Sequence, residues 1–387
     1  ELTTYWEPER LLESSRLSPE DLPARFEELM SRAVDRALTG QDLVSLSGGI
    51  DSTAVAAFAA DPHRARTGRS LPALSAVYPR HATVDERRYI ELTADRLGLD
   101  LHTYEPEPRR LERLPEWVDA FDGPWDVWIP ESAEENYLRA RLLGGHTILT
   151  GEFAELVVDI QRDLLTHLLL QGKLPSVLRQ LSEQHRAGTR PRALTRQVFF
   201  AFAPRFLVAA WKRRRPGFSP PHWVDPVRIR AREARRAVRR RDRWPAQQLG
   251  FLRGPGLSVE ADAILQARCG VRVRRPWTDV DLWEFFLSLP AELKFPHAWS
   301  KSLVRQLLRG RVPDTILDRQ DKTVFNEFVQ ADIDYPSLRR WLVEPRHRIQ
   351  GIDYRALSER LEREDLKLSD YIWAKDLAAI QAFLDRW

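Results

Sequence analysis

The segment Leu43-Val44-Ser45-Leu46-Ser47-Gly48-Gly49-Ile50-Asp51-Ser52 passes from an apolar run, through two glycines, into a helical pattern over residues 53–60. A strand, a glycine turn and a helix start in that order make an anion site. Glycines let the backbone approach a ligand and take positive φ. The first N–H groups of the helix are unpaired, carry partial positive charge and point at phosphate oxygens. Ser47 and Ser52 add hydroxyl donors on either side. Asp51 suits a helix N-terminus, yet a carboxylate beside a polyphosphate repels it. A divalent cation between them removes the conflict, and Mg²⁺ is the usual partner of phosphate and few carboxylates. No lysine follows Gly49, so this is not the lysine-bearing phosphate loop.

Outward from this loop the chain alternates between two periodicities. Residues 24–39 carry Phe26, Leu29, Met30, Ala33, Val34 and Ala37 at helical spacing. Residues 62–70 read as a polar loop, and 74–78 as a second buried strand stopped at Pro79. Residues 85–97 form an amphipathic pattern with Tyr89, Leu92, Ala94 and Leu97 inward, and Gly98 is placed to end it. A third strand is expected at 100–104, helices at 111–121 and 134–143, and a fourth strand at 147–149 ending in Thr150-Gly151. Strands alternating with helices predict a parallel sheet covered on both faces. Ligands of such sheets sit beyond the carboxyl ends of the strands, where Leu46, Val77, Thr150 and Gly151 fall. After residue 160 the strand signal fades. Residues 161–215 read as helices broken by Gly172, Pro175, Gly188, Pro191 and Pro204. Residues 244–258 read as a loop, and the remainder from Val259 as mostly helical.

A chain of 387 residues can bury a full core. The net charge of +4 makes no global demand for a polyanionic partner. The single cysteine, Cys269, excludes a disulfide framework and any multi-cysteine metal site. It also leaves little scope for an N-terminal cysteine glutaminase. No apolar run reaches the ~18 residues needed to span a bilayer, and no signal-peptide pattern opens the chain. A cytoplasmic protein is expected, and the start at Glu1 reads as that of a fragment or a processed product. Thirteen tryptophans against one methionine read first as bulky core packing.

Four separated segments carry a family resemblance. The loop Ser47-Gly48-Gly49-Ile50-Asp51-Ser52 is similar to the pyrophosphate loop of the ATP pyrophosphatases. Asp85-Glu86 and the helix to Leu97-Gly98 resemble the D-E-x-x-x-A helix of the asparagine synthetase family. Thr150-Gly151-Glu152-Phe153-Ala154-Glu155 lines up with that family's S-G-[DE]-G-x-D. Arg275-Pro276-Trp277-Thr278-Asp279, Ser288-Leu289-Pro290, Lys301, Arg305, Pro313, Arg319 and Lys322 look like its P-F-x-D, S-L-P, K, L-R, P, R-x-K series. The third segment departs from the pattern. Glu155 stands for the metal-binding aspartate, Leu156 for a glutamate and Phe153 for the loop glycine, while Val157-Val158-Asp159 replaces a glycine-rich tail. These changes resemble the drift seen in β-lactam synthetases and in the cyclases that close lasso peptides.

The resemblance implies an α/β fold, a parallel sheet flanked by helices of the adenine nucleotide α-hydrolase type, with a large helical C-terminal part. It implies an ATP-pyrophosphatase nucleotide-binding subdomain over 1–160, a basic helical insertion over 161–258 and a helical part over 259–387 that completes the active site. It also implies ATP and Mg²⁺ as cofactors. Leu46, Val77, Thr150 and Gly151 would frame adenine and ribose. Ser47, Gly48, Gly49 and Ser52 would hold the pyrophosphate, and Asp51 and Glu155 the metal. Lys322 and Arg319 would stabilise charge on phosphorus or on the tetrahedral intermediate, and Glu152 would be the base for the attacking amine. Asp279 and Lys301 are secondary candidates for ordering the pocket. Asp85 and Glu86 also read as helix-start charges, and Lys301 with Arg305 equally as a solvated helical face.

The expected activity is adenylation of a carboxylate and its transfer to an amine, in the manner of a lasso peptide cyclase. The substrate is then a linear peptide, with a leader-binding protein and a leader peptidase as partners. An asparagine or β-lactam synthetase acting on a small molecule is the second reading, and a non-catalytic relative that binds ATP or a partner is the third. An RNA-modifying enzyme is disfavoured by the fourth segment and by the lack of a cysteine pair. Residues 186–243 are heavily basic, with Lys212-Arg213-Arg214-Arg215, Arg235-Arg236, Arg239-Arg240-Arg241 and Arg243. A solvated surface, a dock for an acidic peptide or protein, and a nucleic-acid groove are the three readings of that charge.

Overall fold

The computed structural model describes residues 5–108, 111–124, 130–161, 163–203, 220–226, 244–250, 252, 257–319 and 326–386. Five strands form one parallel sheet: β1 (Asp42–Ser45), β2 (Pro72–Ala76), β3 (Asp100–Tyr104), β4 (Thr147–Leu149) and β5 (Arg272–Arg274). Their order is β3-β2-β1-β4-β5. β1 pairs Val44 with Ala73 of β2 and Leu43 with Ile148 of β4, while Ile148 pairs with Val273 of β5. Leu43, Val44, Ile148 and Leu149 are fully buried. A central parallel strand is covered on both faces, so it reads as a continuous apolar run rather than an alternation.

The chain leaves β1 toward β2 and β3 on one side, then returns past β1 to β4 and β5 on the other. The order therefore reverses between β1 and β4. Such a switch opens a crevice beyond the carboxyl ends of the two strands.

Helix α1 (Leu22–Ala37) buries Phe26, Leu29, Met30, Ala33 and Val34 at the predicted spacing. Helix α2 (Ile50–Thr67) is alanine-rich and buried nearly all round, with Ala54, Val55, Ala56 and Ala59 fully enclosed. It extends beyond the expected end at residue 60 and carries Pro62 inside it. Tertiary bonds hold that last stretch: His63 Nδ1 lies 3.3 Å from Asp42 Oδ2, and Arg66 donates to the Leu38 carbonyl at 3.0 Å. Helix α3 (Arg87–Leu97) ends at Gly98 in the left-handed region. The remaining helices before the sheet's second half are α4 (Leu114–Phe121) and α5 (Pro130–Leu142), with the turn at 111–113 of 3-10 type.

After β4 come α6 (Ala154–Val158), α7 (Leu164–Leu170), α8 (Leu174–Arg186) and α9 (Pro191–Phe202). Pro175 and Pro191 open α8 and α9 rather than interrupt them, because a first-turn proline loses no hydrogen bond. The expected loop at 244–258 contains a helical turn, Trp244–Gln248, held by Trp244 and Gln248 donating to the Ile160 carbonyl. The helical reading from Val259 missed β5, whose Arg-Val-Arg shows only one inward apolar residue. Trp117, Trp223, Trp244 and Trp277 are among the largest fully buried side chains, in agreement with core packing. Lys212–Arg215 and Arg235–Arg243 lie outside the described residues. Among the described residues no helix is long and apolar enough to cross a membrane.

One core residue has a measurable consequence. Lys294 is fully buried, donates to Gln248 Oε1 at 2.7 Å, and is pushed down to about 7 by desolvation. The unfolded chain therefore binds more protons than the native chain between pH 7 and the ordinary lysine value. Stability gains from rising pH across that window, by up to about 1.4 kcal/mol per pH unit from this group. In Lys294→Met that contribution to the slope is expected to vanish, as read by urea unfolding at pH 7 and pH 9. Parent and variant curves that stay parallel would refute it. Gln248 loses a donor in the variant, so the slope and not the absolute stability is the readout.

Candidate active site

The crevice at the β1–β4 switch is built from the loop that follows β1. The Leu46 N–H donates to the Leu74 carbonyl and prolongs the β1–β2 ladder. The chain then turns. The Ser47 N–H donates to Ser52 Oγ at 3.0 Å, the two hydroxyl oxygens lie 2.9 Å apart, and the Gly49 N–H donates to Ser47 Oγ at 3.3 Å. Gly49 caps α2 in an extended conformation without a side-chain cap. The first turn of α2 is thus left open to an anion.

Gly151, just past β4, meets this helix end backbone to backbone. A Cβ there would lie 2.3 Å from Ser52 N and 2.5 Å from Asp51 C. Only glycine permits that approach, and it brings the acidic loop after β4 onto the phosphate loop. From below, Trp277 donates its indole N–H to the Asp51 carbonyl at 3.1 Å and fixes the same turn.

Asp51 is the electrostatic centre. Lys301 forms an ion pair with its Oδ2. Its Oδ1 is buried and accepts no hydrogen bond among the described residues. Burial pushes the carboxyl above the ordinary aspartate range, Lys301 opposes this, and the Glu155 and Asp159 charges add to it. Glu155 and Asp159 come from α6 and its end, so the structure brings Asp51 and Glu155 to one charge cluster. Asp159 Oδ2 accepts from Ser300 Oγ at 2.6 Å, and Oδ1 from the Lys301 N–H at 3.1 Å. Lys301 stands at φ +57°, in the left-handed region, as the N-cap of the following helix. A side chain in that region costs of order 1 kcal/mol or more, and here it aims the ammonium at Asp51.

Glu152 is half exposed and ion-paired: Arg275 Nε donates to its Oε2 at 2.6 Å. Arg275 also pairs with Asp262, which accepts from the Tyr137 hydroxyl and from Gln266 Nε2. Burial works against the Arg275 charge, but Glu152 and Asp262 hold it above its ordinary value. Burial and then the Asp262 charge push the Tyr137 hydroxyl far up, so it serves as the donor. Phe153 takes φ +67°, and the Arg275 guanidinium lies 5.2 Å from its ring centroid. A phenylalanine thus occupies a left-handed position that suits glycine, held there by a cation over its face.

Arg319 is 10% exposed and reaches the same loop from the C-terminal half. Its Nη1 donates to the Gly48 carbonyl at 3.3 Å and to Glu86 Oε1 at 2.8 Å, with the guanidinium over the Tyr89 ring. Glu86 Oε2 accepts from the Gly48 N–H at 3.1 Å. Asp85 behaves as a helix-start charge, accepting from the N–H groups of Tyr78 and Arg87. Glu86 does not: it bridges Gly48 and Arg319.

Leu46, Ser47, Gly48, Gly49, Asp51, Ser52, Thr150, Gly151, Glu152, Glu155 and Arg319 therefore gather at the strand ends. Val77 lies at the end of β2, its N–H donating to the Tyr104 carbonyl. Lys322 lies outside the described residues. Asp279 is elsewhere: it pairs with Arg36 at 2.6 Å and caps the helix Val280–Ser288 through the Asp281 N–H. Arg305 is not a solvated face, since it donates to the Ser300 and Leu317 carbonyls and braces the Lys301 turn. Sequence reasoning missed the roles of Asp159, Arg275 and Glu86. The acids carried a signal only as charges at helix ends, and Arg275 only as the first residue of the fourth segment.

The oxygen-only donor set fits Mg²⁺, which is held by one or two carboxylates and completed by phosphate oxygens and water. The buried, unbonded Asp51 Oδ1, within reach of the Glu155 and Asp159 charges, is the observation behind that fit; among the described residues no group of three or more His, Cys, Asp or Glu side chains could hold a metal by itself. A family model described as asparagine synthase matches residues 25–387. A search of curated proteins gave no match.

Proposed function

The chain belongs to the asparagine synthase family, and from that premise we propose that it is a macrolactam-forming peptide cyclase that makes AMP and pyrophosphate. Its general kind is that of an ATP-dependent amide-forming synthetase. ATP lies with adenine and ribose against Leu46, Val77, Thr150 and Gly151. Its phosphates lie on Ser47, Gly48, Gly49, Ser52 and the open turn of α2. Asp51 and Glu155 would hold Mg²⁺, which would supply charge neutralisation at the phosphates. Lys301 and Arg319, already converging on the loop, add positive charge where negative charge develops.

A side-chain carboxylate of the peptide attacks the α-phosphorus. The bond from that phosphorus to the bridging oxygen breaks, and pyrophosphate leaves. The peptide's N-terminal amine then attacks the acyl carbon, AMP leaves, and Glu152 accepts the proton lost by nitrogen. Arg275, donating to Glu152 Oε2, orients the carboxylate for that role. An amine held against the acyl carbon reacts as if at very high concentration, which lowers the demand on the base.

The observation that carries this reading is the unequal make-up of the crevice. The half that faces ATP keeps its glycines, its hydroxyls and Asp51, with Glu155 in place of the second metal-binding acid. The half that faces the acceptor is rebuilt: Phe153 and its Arg275 partner stand where the resembled family has an open glycine loop. Such a site suits another acceptor than aspartate. The test incubates the protein with ATP, Mg²⁺ and linear peptides bearing one internal Asp or Glu, followed by mass spectrometry. Loss of one water with release of AMP is expected. Asparagine formed from aspartate and ammonia, or lactam closure of a small amino acid, would assign a small-molecule synthetase instead. Nucleotide binding without pyrophosphate release in any mixture would make the chain a non-catalytic relative.

A further inference from the structure

Between α8 and α9 lies an open depression of about 560 Å³, lined by Leu181, His185, Leu194, Val198 and Phe199. Its walls are apolar, and large apolar side chains of the two helices are exposed: Phe199 of the lining 56% and Leu178 of α8 66%. Residues 174–202 carry five arginines, Arg179, Arg186, Arg190, Arg192 and Arg196, and one acid, Glu183. That acid is turned away from the depression. Glu183 accepts from His297 Nδ1 at 2.9 Å and from the Ala298 N–H at 2.8 Å. Residues 297–301 then run past Trp299, 43% exposed with its ring 4.9 Å from that of His297, to Ser300 and Lys301 in the acid cluster. One continuous set of contacts therefore links the phosphate crevice to helix α8, one wall of the depression.

We propose that this face is the dock for the peptide substrate, taking a segment that inserts an aromatic or aliphatic side chain between α8 and α9 with carboxylates flanking it. The proposal rests on the peptide reading of the active site. Charge selects the occupant. An apolar anchor alone would fit a second copy of the chain, but a copy would bring the same arginines to the same place. An acidic segment complements the net positive charge of these two helices. The dock gives the enzyme a hold on substrate remote from the reacting carboxyl, and binding energy gained there can serve to position it.

The experiment uses the whole chain and a fluorescein-labelled peptide with one phenylalanine between glutamates. Two analogues replace the phenylalanine with serine or the glutamates with lysine. Anisotropy is measured for the parent, for Leu194→Asp and for the Arg190→Glu, Arg192→Glu double variant, with binding of a fluorescent ATP analogue reporting an intact fold. Each protein change and each peptide change is expected to weaken binding about tenfold or more. Leu194→Asp combined with the serine peptide should cost little beyond either alone.

The dock is overturned if parent protein that binds nucleotide binds no peptide, or if the lysine analogue binds equally well. It is also overturned if binding survives Leu194→Asp, if single-stranded RNA takes the site in preference to the peptide, or if Leu194→Asp instead abolishes self-association. The two proposals fail separately. Peptide bound as expected without lactam formation removes the cyclase reading alone, and lactam formation with KM unchanged in both variants removes the dock alone.

Discussion

Gly151→Ala is expected to lower ATP-dependent pyrophosphate release by on the order of 10² or more. The methyl carbon would lie 2.3 Å from Ser52 N and 2.5 Å from Asp51 C. Those are backbone atoms of the first turn of α2, which cannot rotate aside. Either the loop after β4 or the start of α2 must shift, and both carry the site. A misplacement of about 1 Å suffices for a loss of that size. Overpacking of this kind also costs about 1–3 kcal/mol of stability, to be read as a fall in the urea midpoint at unchanged slope. A variant with activity within tenfold of the parent would mean that contact between the two loops is not needed for catalysis.

Asp51→Asn is the second large effect. The substitution keeps the shape and removes the charge. Lys301 loses its ion-pair partner, and Mg²⁺, in the proposed site, would lose one of its two carboxylates. Pyrophosphate release is expected to fall by at least about 10², with the Mg²⁺ concentration for half-maximal rate displaced upward. The second readout separates a metal role from mere repacking, because a structural change would lower the rate without altering the metal requirement. An unchanged Mg²⁺ profile would remove Asp51 from the metal site.

Much of the architecture was open to sequence reasoning, for physical reasons that can be named. β3 and β4 fall where turn residues and short apolar runs placed them, while β1 and β2 are displaced by one or two residues. Strand ends shift easily, because a buried run does not say which of its residues pair. β5 escaped since Val273 is its single inward apolar residue and arginines flank it. Its place is set by pairing with β4, a long-range event that leaves no local periodicity. α2 outran its expected end because His63 and Arg66 are tied to Asp42 and Leu38, far back in the chain.

The site shows the same division. Ser47 to Ser52 and Gly151 were readable, because their residue types are dictated by local backbone shape and close approach. The partners that complete them were readable only in part: Lys301 stood as a secondary candidate, but its pairing with Asp51 did not show, nor did that of Arg275 with Glu152. Lys301 reaches Asp51 across 250 positions and Arg275 reaches Glu152 across 123. Asp279 was misplaced for the mirror-image reason: its charge suited a pocket, but its nearest neighbours are Arg36 and its own helix start.

Glu86 gives the loop an anion of its own. With its carboxylate on the Gly48 N–H and on Arg319, the turn is braced before any triphosphate arrives. On the proposed reading, a phosphate that takes the Gly48 N–H would displace the Glu86 carboxylate from it, one negative group relieving another. The Glu86 carboxylate thus ties the turn after the first strand to Arg319, 233 positions further along the chain than Glu86 itself.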